Sequence, residues 1–273
     1  MIKFEHTVFA LPFALSSMVV AADGFPKLSI IGWILVAMVG ARSAAMAFNR
    51  IVDVKIDKKN PRTKERAIPK GLVSITFAAV FTLISSALLV FAAYKLNTLA
   101  FYLSPIALAV VLLYSYSKRF TSLSHLWLGL SLAIAPVGAW IAVKGSLDFP
   151  PMVLSASVIC WAAGFDILYS LQDVNFDNEN KLFSIPAKFG IKNALLFSRF
   201  LHVLMPIFLV WFGYLCGMGA VYYIGTSLVF GCLVYEQSLV SQTNISRINT
   251  AFFILNGVVS IIFFLFVLVD ILF

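Results

Sequence analysis

The sequence predicts an all-helical membrane protein, a single domain over residues 1–273 with nine spanning helices. Three observations predict it. Hydrophobic residues make up 61% of the chain and charged residues 12%, with a mean hydropathy of +0.97. Soluble domains run at about 45–50% apolar and about 25% charged. The apolar residues fall in runs of about 20, the length a helix needs to cross the hydrocarbon core of a bilayer. Short polar segments with turn chemistry separate the runs, for example Asp23-Gly24-Phe25-Pro26, Gly145-Ser146-Leu147-Asp148 and Gly217. A soluble globular enzyme, a disordered chain, collagen and a coiled coil are all excluded.

The spans are expected at 6–22, 28–48, 71–93, 97–114, 124–143, 150–171, 191–213, 218–238 and 249–271. The first could pass for a secretory signal. Its leading residues hold Glu5 and His6 as well as Lys3, and many spans follow, so it reads as a membrane helix. His6 is a candidate site residue at its mouth, with an interfacial polar residue the more ordinary reading. Orientation follows from Lys and Arg. Arg50, Lys55, Lys58, Lys59, Arg62, Lys64, Arg66 and Lys70 follow span 2, Lys118 and Arg119 follow span 4, Lys181 and Lys188 follow span 6, and Arg247 follows span 8. The other side holds only Lys27, Lys95 and Lys144. The positive-inside rule places the N-terminus inside and the C-terminus outside. It also accounts for the net charge of +8 without nucleic acid as a partner. Cys160, Cys216 and Cys232 lie in apolar runs without metal-ligand spacing and read as small buried hydrophobes.

Two constellations carry chemistry. The first is Asn49-x-x-x-Asp53-x-x-x-Asp57 at the end of span 2. Residues four apart share a helix face, so these oxygen-bearing side chains would form one row, with Arg42 two turns earlier on that face. The second is Asp166-x-x-Tyr169-x-x-Gln172-Asp173-x-x-x-Asp177 at the end of span 6. One such acid pair beside basic residues is an ordinary solvated helix end. Two pairs at the same membrane face, each with a charged residue (Arg42 or Asp166) deeper in the apolar run, are not. Hard carboxylate oxygens suit Mg²⁺, which is usually held by one or two carboxylates plus substrate phosphate. Two facing pairs could hold two such ions around a diphosphate, with Arg62, Arg66, Lys118, Arg119 and Lys188 as candidate diphosphate-binding cations. Membrane orientation alone would also account for any one of these. The four acids include no His or Cys neighbour of the kind zinc sites use. A further motif, Tyr114-x-x-x-Lys118, ends span 4. The two acid motifs also form a weak parallel repeat, Asp53-Val-Lys-Ile-Asp57 and Asp173-Val-Asn-Phe-Asp177, each followed by a polar loop and a proline step.

These motifs, with Arg62-Thr-Lys-Glu-Arg66-Ala-Ile-Pro-Lys-Gly71, resemble the UbiA superfamily of intramembrane prenyltransferases over nearly the whole chain. The opening Lys3-Phe-Glu-His6-Thr-Val-Phe-Ala-Leu-Pro12 and the step Ser184-Ile-Pro186 are similar to its 4-hydroxybenzoate polyprenyltransferase-like branch. The resemblance implies nine helices around a central cavity that is capped on the cytoplasmic side and open laterally to lipid, in a bacterial cytoplasmic (inner) membrane. It implies transfer of a polyprenyl chain from polyprenyl diphosphate to a small aromatic acceptor in quinone synthesis. Asp53, Asp57, Asp173 and Asp177 would hold Mg²⁺, assisted by Asn49. Arg62, Arg66 and Lys118 would bind the departing diphosphate, Tyr114 and Tyr169 would face the allylic cation, and Arg42 and Asp166 would orient the acceptor. A dihydroxynaphthoate, haem or another acceptor would use the same site. A cation-coupled transporter is the remote alternative.

Overall fold

The computed structural model describes residues 7–273, and every regular element among them is helical. His6 lies outside the described residues. The elements are α1 (Thr7–Ala22), α2 (Leu28–Val52), α3 (Val54–Lys59), α4 (Ile75–Leu96), α5 (Thr98–Ser117), α6 (Ser124–Lys144), α7 (Phe149–Ser170), a 3-10 turn (Leu171–Asp173), α8 (Val174–Glu179), α9 (Ile185–Leu215), α10 (Ala220–Ser238), a π turn (Thr250–Leu255) and α11 (Asn256–Leu272). A helix stands at each expected span. Seven of the nine are long and apolar enough to cross a membrane; α1 is a shorter apolar helix, and α10 lies outside those limits.

The helix ends follow local chemistry. The hydroxyl of Ser74 accepts from the Phe77 N–H at 3.0 Å and opens α4. Gly145 closes α6 in the left-handed region at φ 71°. Ser184 caps α9 through the Ala187 N–H at 3.3 Å, with Pro186 in the first turn. The expected proline step therefore starts a short helical segment, and the long part of α9 begins after Gly190, where span 7 was placed. Gly190, at φ 79°, absorbs the resulting kink.

The helices pack as two groups that share α6. In one, α2, α4, α5 and α6 contact each other; in the other, α6, α7, α9, α10, α11 and α1 close a circuit. Phe9, Phe13, Trp161, Phe165, Phe252 and Phe263 form an aromatic cluster inside the circuit, with Phe13 and Trp161 centroids 4.9 Å apart. A polar interlock crosses it. The Trp161 indole donates to Asn256 Oδ1 at 2.5 Å, and the Asn256 amide donates to Glu236 and to the carbonyls of Ala251 and Phe252. Those carbonyls belong to the π turn, whose bonding leaves backbone acceptors open to a side-chain donor.

Both acid motifs interrupt their helices. Asp53 (φ −88°, ψ 1°) separates α2 from the six-residue α3, and Asp173 (φ −104°, ψ 2°) separates the turn after α7 from the six-residue α8. Both residues sit in the sparsely populated bridge region common at active sites. Asn49, Asp53 and Asp57 thus do not form one straight row, although the Asp53 and Asp57 amides still bond four residues back at 2.9 and 2.8 Å. The matching breaks give the sequence repeat a structural counterpart.

Close approach within the first group depends on Gly40. A Cβ there would stand 2.8 Å from the Leu89 backbone nitrogen and 2.9 Å from the Ser85 carbonyl, which cannot move aside. Gly40→Val should lower the melting temperature in detergent by an amount equivalent to about 1–3 kcal/mol of overpacking. An unchanged melt would show that α2 and α4 do not need this contact.

Candidate active site

The loops after α2, α5 and α7 converge at one end of the bundle. The Phe183 N–H donates to the Lys118 carbonyl at 2.8 Å, and the Asn60 amide donates to Asp173 at 3.0 Å. Both acid motifs and the end of α5 therefore meet, as the alternation of spans requires.

Asp53 is buried at the junction of α2 and α3. Its carboxylate accepts from Lys118 Nζ at 2.6 Å, from Arg119 at 2.9 Å and from the Asn49 amide at 3.1 Å. Arg119 also donates to the carbonyls of Ser115 and Val52, so its guanidinium clamps α5 to the end of α2. Asp57 is equally buried and takes a two-oxygen bond from Arg66 at 2.7 and 2.8 Å. Charge-assisted bonds of this kind are what make a buried carboxylate tolerable.

Arg62 crosses from the first motif's loop to the second motif. It donates to both oxygens of Asp173 at 3.0 and 2.5 Å and to the Tyr169 hydroxyl at 3.0 Å, with its guanidinium carbon 5.0 Å from the Tyr169 ring centre. Burial alone would lower the Arg62 pKa, but the hydrogen bonds and charge of Asp173 outweigh it and raise it above the ordinary value. Tyr169 in turn stacks on Phe252 of the π turn at 4.1 Å. Asp177 forms no ion pair among the described residues and lies within electrostatic range of Asp173 and Lys118.

The deeper residues occupy the interior side. Asp166 is hydrogen-bonded to His125 at 2.7 Å. Tyr114 lies within electrostatic range of both Asp166 and Asp53, between the two levels. Arg42 is half-buried on α2, roughly 16 Å along the axis from Asp53 at 1.5 Å per residue. Lys188 is not brought to the carboxylates: it is exposed, with its amine 5.2 Å from the Phe189 ring centre.

Sequence reasoning missed three participants. Asn60 is buried and ties the motifs together. Arg50 is in electrostatic range of Asp53, Asp57, Arg62 and Arg66, so that five cations, with Lys118 and Arg119, surround four carboxylates. His125 is the third. Arg50 was readable as the neighbour of Asn49; Asn60 and His125 carry no local pattern that marks them. Among the described residues no three acids, histidines or cysteines stand together as a ready ligand set. The carboxylates are held apart, three of the four by cations.

Removing one partner of a buried pair leaves an uncompensated charge. Arg66→Leu should destabilise the metal-free protein by about 2 kcal/mol, toward the low end because Arg66 is partly exposed. Adding Asp57→Leu to Arg66→Leu should recover most of that loss in a thermal melt. If the double variant is as unstable as the single one, the pair does not hold this loop.

Sequence and structure comparisons relate the chain to known proteins. The UbiA prenyltransferase family matches residues 10–258. Relatives named 4-hydroxybenzoate octaprenyltransferase include one from Vibrio atlanticus (strain LGP32), 32% identical over 85% of this chain and 79% of its own. Another, from Francisella tularensis subsp. novicida (strain U112), is 30% identical over 87% and 84%. The apo structure of a UbiA homolog from Aeropyrum pernix K1 superposes with a TM-score of 0.90, at 34% identity and 99% coverage of both chains. A UbiA homolog from Archaeoglobus fulgidus bound to GPP and Mg²⁺ shares the fold, with a TM-score of 0.77 at 18% identity over 99% of this chain and 98% of that one. The two acid motifs thus lie in a chain that belongs to the UbiA prenyltransferase family.

Proposed function

We propose that the protein transfers a polyprenyl group from polyprenyl diphosphate to a hydroxylated aromatic carboxylate, 4-hydroxybenzoate, for quinone synthesis in the cytoplasmic membrane. The acid-bearing end would face the cytoplasm, since its loops hold most of the Lys and Arg. One observation carries the reading: four carboxylates and five cations meet at one end of an apolar bundle, with Tyr169 bonded to Arg62 and Tyr114 within electrostatic range of Asp53 and Asp166. The names of the two curated relatives support the acceptor.

The donor set fits magnesium, because four carboxylates and the amide oxygens of Asn49 and Gln172 offer hard oxygen alone. Asp53 and Asp57 would hold the metal from one side and Asp173 and Asp177 from the other. When bound, Mg²⁺ offsets charge that builds on the diphosphate as the allylic C–O bond breaks. The protein's own cations serve the same leaving group. Among the described residues, the charged groups of Lys118, Arg62 and Arg66 bond only to side chains and can turn from carboxylate to diphosphate oxygens. Arg119, fixed to two backbone carbonyls, stays as a clamp. The electron pair of the broken bond leaves with the diphosphate. The faces of Tyr114 and Tyr169 then stabilise the allylic cation, which the apolar walls protect from water. Attack by the ring carbon ortho to the acceptor hydroxyl forms the new C–C bond, and the ring proton passes to Asp166. Arg42 binds the acceptor carboxylate from the deeper end of α2.

Purified protein in detergent with Mg²⁺ and a polyprenyl diphosphate, offered 4-hydroxybenzoate and 1,4-dihydroxy-6-naphthoate in parallel, should prenylate the benzoate. Product from the naphthoate alone would overturn the acceptor. Asp53→Asn and Asp173→Asn should each cut turnover by roughly a hundredfold or more without loss of fold, in line with the loss of preorganised charge at a reacting centre. Near-normal transfer by either would remove these residues from the metal site. Arg42→Ala should raise KM for the benzoate about tenfold or more while leaving KM for the prenyl diphosphate within about twofold. Equal effects on both substrates would assign Arg42 elsewhere.

A further inference from the structure

His125 is the second residue of α6 and is buried. Both ring nitrogens have partners. Nε2 faces the backbone N–H of Ile185 at 3.3 Å, and Nδ1 lies 2.7 Å from Oδ2 of Asp166. A backbone N–H only donates, so Nε2 is the acceptor and the ring hydrogen sits on Nδ1, donated to Asp166. The two bonds fix the ring's orientation and its tautomer together.

The bonds also join two levels of the site. Ile185 is the first residue of α9, immediately after the Ser184 cap, and follows the short connection from α8, which carries Asp177. Asp166 lies on α7, one turn before Tyr169. The Asp166 side chain is 20% exposed, and its bond to His125 is the one it makes among the described residues. Oδ1 has no hydrogen-bond partner among the described residues.

We propose that His125 is a positioning residue for Asp166. Its Nδ1–H holds one carboxylate oxygen so that the other points at the acceptor ring, and the Ile185 amide keeps the imidazole from turning. His125 does not relay the proton, since its acceptor nitrogen is occupied by that amide. The proposal rests on the assignment of Asp166 to the acceptor made above.

Two variants and one spectrum test it. His125→Leu removes the donor, whereas His125→Asn places a carboxamide N–H near the position of Nδ1–H. The Leu variant should lose roughly thirtyfold in kcat/KM for the acceptor, the scale of a lost hydrogen bond to a charged group. Binding of prenyl diphosphate, measured by calorimetry, should stay within about twofold. The Asn variant should recover most of the loss. Equal loss in both variants, or equal loss of diphosphate binding, would reduce His125 to a packing residue.

The second readout needs no turnover. The chain has three histidines. His202 is bonded in the opposite sense, with Nε2 facing the Trp161 carbonyl at 3.3 Å and Nδ1 facing the Gln237 amide at 3.0 Å. In ¹⁵N spectra of imidazole-labelled wild-type protein, His125 should carry its hydrogen on Nδ1 and His202 on Nε2. The Nδ1–H signal should vanish in His125→Leu and shift in Asp166→Asn. A His125 signal of the Nε2–H form would overturn the proposal even if the enzyme is active. Failure to prenylate any acceptor, with the Nδ1–H signal intact, would instead fault the reading of the substrate.

Discussion

The structure depends on keeping carboxylates charged and apart at the edge of a membrane. Asp53 and Asp57 are buried where water is scarce, and a bare buried carboxylate is costly by several kcal/mol. Each is held by cations from a different segment: Asp53 by the end of α5, and Asp57 by the loop that follows α3. Asp173 draws Arg62 across from the first motif. Three helix ends are thus fixed to one another by charge rather than by apolar packing. The same bonds hold the two motifs at one level, so the position of the site and the cohesion of this end have a single physical origin.

Much of this was legible in the sequence, for reasons that differ by element. The helices were readable because hydrocarbon admits few alternatives for an unpaired backbone. The acids and their spacing were readable because charges beside apolar runs are expensive and conspicuous. The pairing partners were not. Nothing in the spacing says that Arg62 should meet Asp173, over a hundred residues away, while Arg66 stays with Asp57. The helix breaks at Asp53 and Asp173 were hidden for a related reason. A four-residue spacing reads as continuous helix, and the junctions show only in the backbone angles of Asp53 and Asp173, whose side chains are bonded to Lys118, Arg119 and Arg62. Lys188 is the converse case: its place in the sequence suggested the site, but the cap at Ser184 starts a helix that leaves it exposed.

Asn60 and His125 show what a single chain conceals most thoroughly. Each acts through backbone or side-chain partners set by the fold, and neither belongs to a spaced motif. Asn60 donates to Asp173 and accepts from the Arg62 N–H at 2.8 Å, so it braces the loop that presents Arg62. Such residues become visible only when the ends of α2, α6, α7 and α9 are brought together.

The π turn at residues 250–255 has a consequence for how the chain can be shortened. Its Phe252 ring backs Tyr169, and Asn256, at the head of α11, satisfies the turn's carbonyls. The last helix is therefore tied to the packing behind the candidate site and is not merely a terminal anchor. A chain ending at Leu239 would keep every acid and every paired cation of the site, yet Tyr169 would lose the surface behind it. The catalytic unit extends well past its last charged motif, and any minimal version of this enzyme must carry its final helix.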